Sequence, residues 1–230
     1  MKKIIVLISG SGSNLQAIID DCNAKRIDAE IACVISNNPN AFGLERAKLA
    51  GIKTIVINHK EFVSRELFDN ELYILLKKHN PDLIVLAGFM RILTKKITEN
   101  FYGKLINIHP SLLPKYPGLN THEKAIKNND KVHGVSIHYV SSELDGGPLI
   151  AQGEIKTGKE DVDTLVERIH KLEHKIYPEI IKHICNGQIY LESNKVIFEK
   201  IDLEGSYISC LLYTSPSPRD ATLSRMPSSA

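Results

Sequence analysis

Cysteine is scarce in this chain of 230 residues, and the few cysteines form no recognisable motif. No two of them make a C-x-x-C pair; they are Cys22, Cys33, Cys185 and Cys210. A disulfide framework needs a denser and more regular set of cysteines than this. We therefore interpret the four as scattered reduced thiols and expect a cytoplasmic protein.

An excess of charge of one sign is also missing. Lys and Arg total 29 against 27 for Asp and Glu, so the formal net charge is only +2. This balance excludes the strong field that would attract nucleic acid or an anionic membrane, and neither partner is expected. No apolar run approaches the length of a membrane span. The run Ile4–Ile8 stops at Ser9 and Gly10, which is too short for a signal peptide.

The first half of the chain alternates short apolar runs with helical patterns. The runs predict five strands, at Ile4–Ile8, Ile31–Ile35, Thr54–Ile57, Asp82–Ala87 and Leu105–His109. Helical spacing lies between them, at Phe42–Ala50, at Arg65–Lys78 with an inner face of Leu67, Phe68, Leu72, Leu75 and Leu76, and through Ile97 and Phe101. This alternation predicts an α/β fold with a doubly wound, mostly parallel sheet. Right-handed crossovers would bring Gly10–Asn14, Gly88–Leu93 and Asn107–His109 to one edge of that sheet.

The pattern changes in the second half. Thr121–Lys127 is helical, and the runs Val132–Val140 and Leu149–Ile155 predict antiparallel strands added to the sheet. Val162–Ile184 has helical spacing that Pro178 should kink or break, and Ile189–Leu191 with Val196–Phe198 predicts a terminal hairpin. Residues 209–230 are rich in Ser and Pro without periodicity, so we interpret them as a disordered, non-native tail similar to translated cloning sequence.

A glycine-rich turn, Ser9-Gly10-Ser11-Gly12-Ser13-Asn14, joins the first strand to a helix. Free backbone N–H groups at a helix N-terminus attract anions. The turn is not a dinucleotide fingerprint, because Leu15 replaces the third glycine, and no Gly-Lys-Ser/Thr follows to make a Walker A loop. A phosphate monoester fits it better, although a plain helix cap by Ser13 or Asn14 is the alternative.

Three polar residues fall at strand ends or turns where they could perform chemistry. Asn107 and His109 alternate in the fifth strand and therefore share a face, and Asp145 lies in the tight Asp-Gly-Gly-Pro turn. An amide can stabilise an oxyanion, an imidazole can move a proton, and a carboxylate can orient the imidazole and favour its charged form. The alternative is purely structural, with Asn-x-His capping a loop and Asp-Gly-Gly only turning the chain.

With these motifs, the chain resembles the phosphoribosylglycinamide formyltransferases, the folate-dependent enzymes of purine synthesis. The resemblance runs from about Lys3 to Phe198 and is carried by the stretches ISGSGSNLQ (8–16), LAGFMRIL (86–93), NIHPSLLPKYPG (107–118) and ELDGGP (143–148). It implies a formyltransferase fold over residues 1–200, with a nucleotide-phosphate-binding half at 1–104 and a catalytic and folate-binding half at 105–200. The implied reaction moves a formyl group from the co-substrate 10-formyltetrahydrofolate to the amine of 5-phosphoribosylglycinamide, in a cytoplasmic monomer or homodimer.

The resemblance also implies roles for individual residues. Asn107, His109 and Asp145 would be catalytic. The substrate and its phosphate would be held by Gly12, Ser13, Asn14 and Glu173, although Glu173 could equally be a solvated helix residue. The folate would be held by Arg65, Met90, Arg91, Ile92, Leu93 and Asn107, with the two arginines near its acidic tail.

No metal is expected. His170 and His174 stand four residues apart in a predicted helix, but the sequence offers no convincing third ligand, and the other histidines are interpreted as surface or loop residues. The alternatives within the folate group are a formyltetrahydrofolate hydrolase, expected to carry an extra N-terminal domain, and a methionyl-tRNA formyltransferase, expected to be more basic with an RNA-binding barrel. An alternative of another class is a non-catalytic phosphate-binding module.

Overall fold

A computed structural model of the chain describes residues 1–199 and 208–209. Its strands are β1 (Lys2–Ile8), β2 (Ala29–Ser36), β3 (Thr54–Val56), β4 (Leu83–Leu86), β5 (Leu105–His109), β6 (Val132–Tyr139), β7 (Leu149–Lys156), β8 (Ile189–Glu192), β9 (Lys195–Phe198) and β10 (Ile208–Ser209). Its helices are α1 (Ser13–Asn23), α2 (Gly43–Leu49), α3 (Arg65–His79), α4 (Lys95–Asn100), α5 (Thr121–Lys127) and α6 (Val162–Cys185). The predicted elements are therefore present, with bounds that differ by one or two residues.

The main sheet has eight strands in the order β10-β7-β6-β5-β4-β1-β2-β3. The pairs β2–β3, β1–β2, β1–β4 and β4–β5 are parallel, whereas β5–β6, β6–β7 and β7–β10 are antiparallel. This confirms the predicted doubly wound sheet with antiparallel strands added in the C-terminal half. Strands β8 and β9 pair separately as the predicted hairpin.

The central strands are covered on both faces. In β1, the side chains of Ile4, Val6 and Ile8 belong to one core cluster and those of Ile5 and Leu7 to another. The first cluster contains α1, α2 and α6, and the second contains α3 and α4. Such two-sided burial is the reason why these strands are continuous apolar runs in the sequence.

Two details of the helices differ from the predictions. Helix α6 continues through Pro178 without a break, and its side chains are buried on both sides of the proline, as at Tyr177 and Ile181. That packing offsets the hydrogen bond that a proline removes, a loss of about 3 kcal/mol. On α3 the buried face is Phe68, Asp69, Leu72 and Leu76, so Leu67 is not an inner residue; it is 52% exposed.

The proposed tail begins at Ser209, which belongs to β10 and pairs with Gln152 of β7. The rest of that segment, 210–230, lies outside the described residues. Within the described part of the chain, none of the helices has the length and apolar character needed to cross a membrane.

The close pairing of β6 with β7 depends on a glycine. A Cβ atom added at Gly134 would lie 2.0 Å from the carbonyl oxygen of Gly153 and 3.0 Å from the Cα of Glu154. Both neighbours are backbone atoms, so neither can give way without disturbing the strand pairing.

We expect Gly134→Ala to lower the free energy of unfolding by about 2–3 kcal/mol, because overpacking against backbone forces the strands apart. Urea unfolding would measure this. Gly158→Ala is the matched control, because a Cβ there meets no atom within 4 Å. Equal stabilities of the two variants would contradict this account of the β6–β7 contact.

Candidate active site

A cavity of about 610 Å³ opens at the edge of the sheet where β1, β4 and β5 end. It is lined by the segments 10–14, 86–93, 107–110, 118–123 and 140–145, together with Thr98, His138, His170 and Glu173. The glycine turn, the 88–93 segment and the end of β5 therefore meet, as the crossover argument predicts. Arg65 lies outside this lining, in the first turn of α3, where its side chain is 47% exposed.

Asn107, His109 and Asp145 all contribute to the cavity wall. The Nδ1 atom of His109 is 3.5 Å from Oδ2 of Asp145, and its Nε2 is 2.8 Å from the carbonyl oxygen of Tyr116. Both ring nitrogens of this buried imidazole therefore face oxygen acceptors. An imidazolium, which has two N–H donors, would find an acceptor at each of its nitrogens here.

Asp145 is held in place by the backbone around it. Its own φ is 51°, in the left-handed region, and its Oδ2 accepts the N–H of Gly118 at 2.9 Å. Next to it, a Cβ atom at Gly147 would lie 1.8 Å from the carbonyl oxygen of Tyr139. The Asp-Gly-Gly turn thus does fix the chain direction, and it also presents a carboxylate to the imidazole.

His138 is a site residue that the sequence reasoning missed. It lies opposite Asn107 across the β5–β6 pair and is 2% exposed, so the interpretation as a surface or loop histidine is wrong. Its Nδ1 is 2.9 Å from the carbonyl oxygen of Tyr139, and its Nε2 is 3.3 Å from Nδ2 of Asn107 and 3.8 Å from Oδ1 of Asp145.

Burial is the largest influence on His138 and lowers its pKa, although the Tyr139 carbonyl and Asp145 act in the opposite direction. A neutral ring that donates from Nδ1 to Tyr139 has an acceptor at Nε2. That acceptor takes one N–H of the Asn107 amide, so His138 orients Asn107. The alternation of His138 with Ile137 and Tyr139 was the only sequence signal, and it does not reveal the cross-strand partner.

The interpretation of His133 as a surface or loop residue is wrong for the same reason. His133 lies on β6 and is 2% exposed. Its Nε2 is 3.1 Å from Nδ1 of His122, and burial lowers the pKa of His133 to about 4. His133 therefore packs as a neutral ring behind α5, beside His122 in the cavity wall.

The glycine turn leaves the N-terminus of α1 facing the cavity. Gly12 is the residue that precedes the helix, with φ 70°, and no side chain of the described residues caps it. The alternative of a cap by Ser13 or Asn14 is therefore wrong. A Cβ atom at Gly12 would lie 2.6 Å from the Cα of Gly43, so only glycine fits both the backbone angle and the contact.

Glu173 of α6 reaches the same end of the cavity. It is 5% exposed, which rules out a solvated helix residue, and its Oε2 accepts a hydrogen bond from Nδ2 of Asn14 at 2.8 Å. Burial raises the pKa of Glu173 to about 7, an effect that the Asn14 hydrogen bond partly opposes. The Oδ1 atom of Asn14 is buried and has no hydrogen-bond partner among the described residues, so one acceptor at this end is unused.

Another part of the cavity wall, the 88–93 segment, is mainly apolar. Met90 and Ile92 are 73% and 52% exposed, whereas Leu93 is 7% exposed and packs into the core beneath. The guanidinium of Arg91 lies 4.5 Å above the ring of Phe68. An exposed apolar surface beside a cation suits a flat ligand that carries an acidic group.

The rings of His170 and His174 stack with centroids 6.1 Å apart. Among the described residues, no group of three His, Cys, Asp or Glu side chains could hold a metal ion. The residues of the cavity thus offer hydrogen bonds, a carboxylate with an imidazole near each of its oxygens, and a helix N-terminus.

Comparisons with known proteins identify the family of this chain. The family of formyl transferases matches residues 2–181 of the chain. The chain is 48% identical over 192 residues to phosphoribosylglycinamide formyltransferase of Escherichia coli, covering 83% of this chain and 91% of that protein. It is 42% identical over 200 residues to the human trifunctional purine biosynthetic protein adenosine-3, covering 86% of this chain and 20% of that protein.

Solved structures give the same result. Phosphoribosylglycinamide formyltransferase of Coxiella burnetii superposes with a TM-score of 0.82 at 48% identity, covering 86% of this chain and 93% of that one. Glycinamide ribonucleotide transformylase 1 of Symbiobacterium toebii gives 0.83 at 40% identity, with 86% and 94% covered. The chain therefore belongs to the formyl transferase family, and within it to the phosphoribosylglycinamide formyltransferases.

Proposed function

We propose that this protein transfers the formyl group of 10-formyltetrahydrofolate to the primary amine of 5-phosphoribosylglycinamide, a step of purine synthesis. The observation that carries the proposal is the position of Asn107, His109 and Asp145. They line one cavity together with a helix N-terminus and an exposed apolar segment. One set of donors can therefore act on two substrates that bind in the same cavity. We propose that the enzyme acts in the cytoplasm, as a monomer or a homodimer.

The phosphate of the substrate binds, in this proposal, at Gly12, Ser13 and Asn14. Backbone N–H groups and the positive end of the helix dipole favour an anion there. Glu173 faces the same end and contacts the sugar or the glycinamide part. A neutral carboxylic acid is compatible with the phosphate dianion, whereas a carboxylate would repel it, so its raised pKa supports this placement.

The folate occupies the other end. Its flat ring system lies against Met90, Ile92 and Leu93 and near Asn107, and its acidic tail extends towards Arg91 and Arg65. The 1–104 half supplies the phosphate loop and the 88–93 wall, and the 105–200 half supplies the three catalytic residues and Glu173. In this proposal each substrate therefore contacts both halves.

In the proposed mechanism the substrate amine attacks the formyl carbon of 10-formyltetrahydrofolate. A carbon–nitrogen bond forms, and the carbonyl oxygen becomes an oxyanion that accepts hydrogen bonds from Asn107 and from charged His109. Asn107 keeps a second N–H for this task while the first donates to His138. For this task the Nε2–H of His109 gives up its hydrogen bond to the Tyr116 carbonyl and donates to the reacting oxygen instead.

The intermediate then collapses and the bond from the formyl carbon to N10 of the folate breaks. The amine loses a proton and N10 gains one, through His109 or a water molecule. Asp145 keeps His109 oriented and charged during the transfer. No nucleophile from the protein is needed, because the substrate carries the amine.

One experiment separates the alternatives. Consumption of 10-formyltetrahydrofolate is followed with and without 5-phosphoribosylglycinamide. The proposal expects turnover only with the amine substrate. Turnover without it indicates a hydrolase, turnover only with charged initiator tRNA indicates the tRNA enzyme, and no turnover with any of them indicates a binding module.

We expect His109→Ala to lower kcat by at least about 100-fold, the usual effect of losing a general acid–base group, with a much smaller change in substrate affinity. Steady-state kinetics would measure both. The control is His79→Ala, in the last turn of α3 outside the cavity lining. A His109→Ala variant that keeps a tenth of the wild-type kcat would assign the proton transfer to another group.

We expect Ser13→Asp to lower the affinity for 5-phosphoribosylglycinamide by about tenfold or more, because a second negative charge at the helix N-terminus repels the phosphate. Folate affinity should stay within about twofold. Calorimetry would measure the two ligands separately, and Ser13→Asn is the control of similar size without the charge. Equal losses for both ligands would argue against a phosphate site at this turn.

Glu173 gives a pH-dependent prediction. Because its pKa is about 7 in the folded protein, compared with an ordinary value of 4.5, the folded state holds the proton more tightly than the unfolded state. The stability linked to this proton is complete below pH 4.5 and is lost as the pH rises through 7. The linked free energy is at most on the order of 3 kcal/mol.

Glu173→Gln cannot ionise, and its amide oxygen can still accept the Asn14 hydrogen bond. We expect the free energy of unfolding of the variant, relative to that of the wild type, to increase from pH 5 to pH 8, as measured by urea unfolding. Glu167→Gln, at an exposed position of the same helix, is the control and should follow the wild type. A constant difference between wild type and Glu173→Gln over this range would show that Glu173 does not titrate there.

A further inference from the structure

Helix α3 buries a carboxylate that the proposed reaction does not use. Asp69 is 0% exposed and lies on the same face as Phe68, Leu72 and Leu76. Its burial raises its pKa, while the Thr94 hydrogen bond and the charges of Arg91 and Arg65 lower it. A buried carboxylate is costly unless it has partners, so the partners of Asp69 show what it does.

The first partner is the backbone of Thr94. The N–H of Thr94 donates to Oδ2 of Asp69 at 2.5 Å. Thr94 precedes α4 and follows the 88–93 segment, which forms the apolar wall of the cavity. Asp69 therefore fixes the C-terminal end of that wall.

The other end of the wall is held in a similar way. The N–H of Met90 donates to Oγ of Ser9 at 2.8 Å, and that hydroxyl donates to Oδ1 of Asn37 at 2.5 Å. The segment has no regular secondary structure of its own. These two side-chain contacts hold its ends, its buried side chains Phe89 and Leu93 pack into the core, and Arg91 lies between the two contacts.

The second partner of Asp69 is the charge of Arg91. The guanidinium stacks on Phe68, the neighbour of Asp69, and no ion pair within 4.0 Å joins the two charges in the part of the chain described. Oδ1 of Asp69 and Nε of Arg91 are both buried without a hydrogen-bond partner among the described atoms. The attraction between the two charges therefore acts through space, and the guanidinium over Phe68 belongs to the cavity wall.

We infer that Asp69 is a positioning residue for the folate co-substrate: it holds the 88–94 segment and Arg91 so that the guanidinium meets the acidic tail. This rests on the proposed function. Asp69 also carries a negative charge of its own, which by itself would weaken the binding of an anionic tail. The two effects have opposite signs on affinity, so a measurement can separate them.

The test is Asp69→Asn. The amide oxygen can still accept the Thr94 N–H, so the wall keeps its anchor while Arg91 loses its counter-charge. We compare 10-formyltetrahydrofolate with its analogue in which both glutamate carboxylates are amides. The KM for the acidic co-substrate should rise about tenfold, the scale of one hydrogen bond to a charged group. The KM for the diamide should change less than about twofold, and the KM for 5-phosphoribosylglycinamide should not change.

Calorimetric binding of tetrahydrofolate and of its diamide gives the same comparison without turnover. The control is Asp163→Asn, an exposed acid in the first turn of α6. In an Arg91→Met background, Asp69→Asn should cause no further loss of affinity for the acidic tail. If Asp69→Asn does not fold, Asp69→Glu, which keeps the charge but displaces it, should show the same selective loss.

Three results would overturn the inference. An equal loss for the acidic and the neutral tail means that Asp69 only supports the fold. Tighter binding of the acidic tail means that the charge of Asp69 competes with the ligand. Unchanged affinities for both tails mean that Asp69 has no role in tail recognition. A wild-type protein that does not formylate 5-phosphoribosylglycinamide contradicts the proposed function instead, and the binding comparison can still be made.

Discussion

Burial of β1, β4 and β5 on both faces is the constraint on which the rest of the structure depends. A side chain along such a strand faces packed helices, so a polar group can reach a ligand only where the strand ends. The turn after Ile8, the segment after Leu86 and the end of β5 at His109 are those places. Because the three strands are parallel, their carboxyl ends coincide, and polar groups that are far apart in sequence share one cavity.

The added antiparallel strands complete the site in a different way. Strand β6 pairs with β5, and this pairing puts His138 next to Asn107. The connection between β6 and β7 then returns to the cavity and carries Asp145. The parallel half of the sheet thus supplies positions for donors, and the antiparallel half supplies the groups that orient them.

The order of strands and helices could be predicted from the sequence because it depends on local information. Two-sided burial makes a short apolar run, as at Ile4–Ile8, and one-sided burial makes the helical spacing of α3. The meeting of the glycine turn with Asn107 and His109 followed from the handedness of crossovers. The Asp145 turn could be recognised from its own glycines.

Properties that depend on distant partners could not be predicted. His138 and His133 resemble any polar residue of an alternating strand, and their burial depends on distant parts of the chain, where Asn107 is the neighbour of His138 and His122 is the neighbour of His133. Glu173 and Asp69 resemble solvated helix residues until the partners Asn14 and Thr94 are known. Pro178 illustrates the opposite error, since a strong local signal was overridden by the packing of α6.

The hydrogen bond between Asn14 and Glu173 joins residues 159 positions apart. The ribosome makes its donor 159 residues before its acceptor. The glycine turn can form early with β1 and α1, but the end of the cavity beside it stays open until α6 docks. A nascent chain therefore has no complete binding site to expose, and a ligand that fills the site favours the last step of assembly over every earlier one.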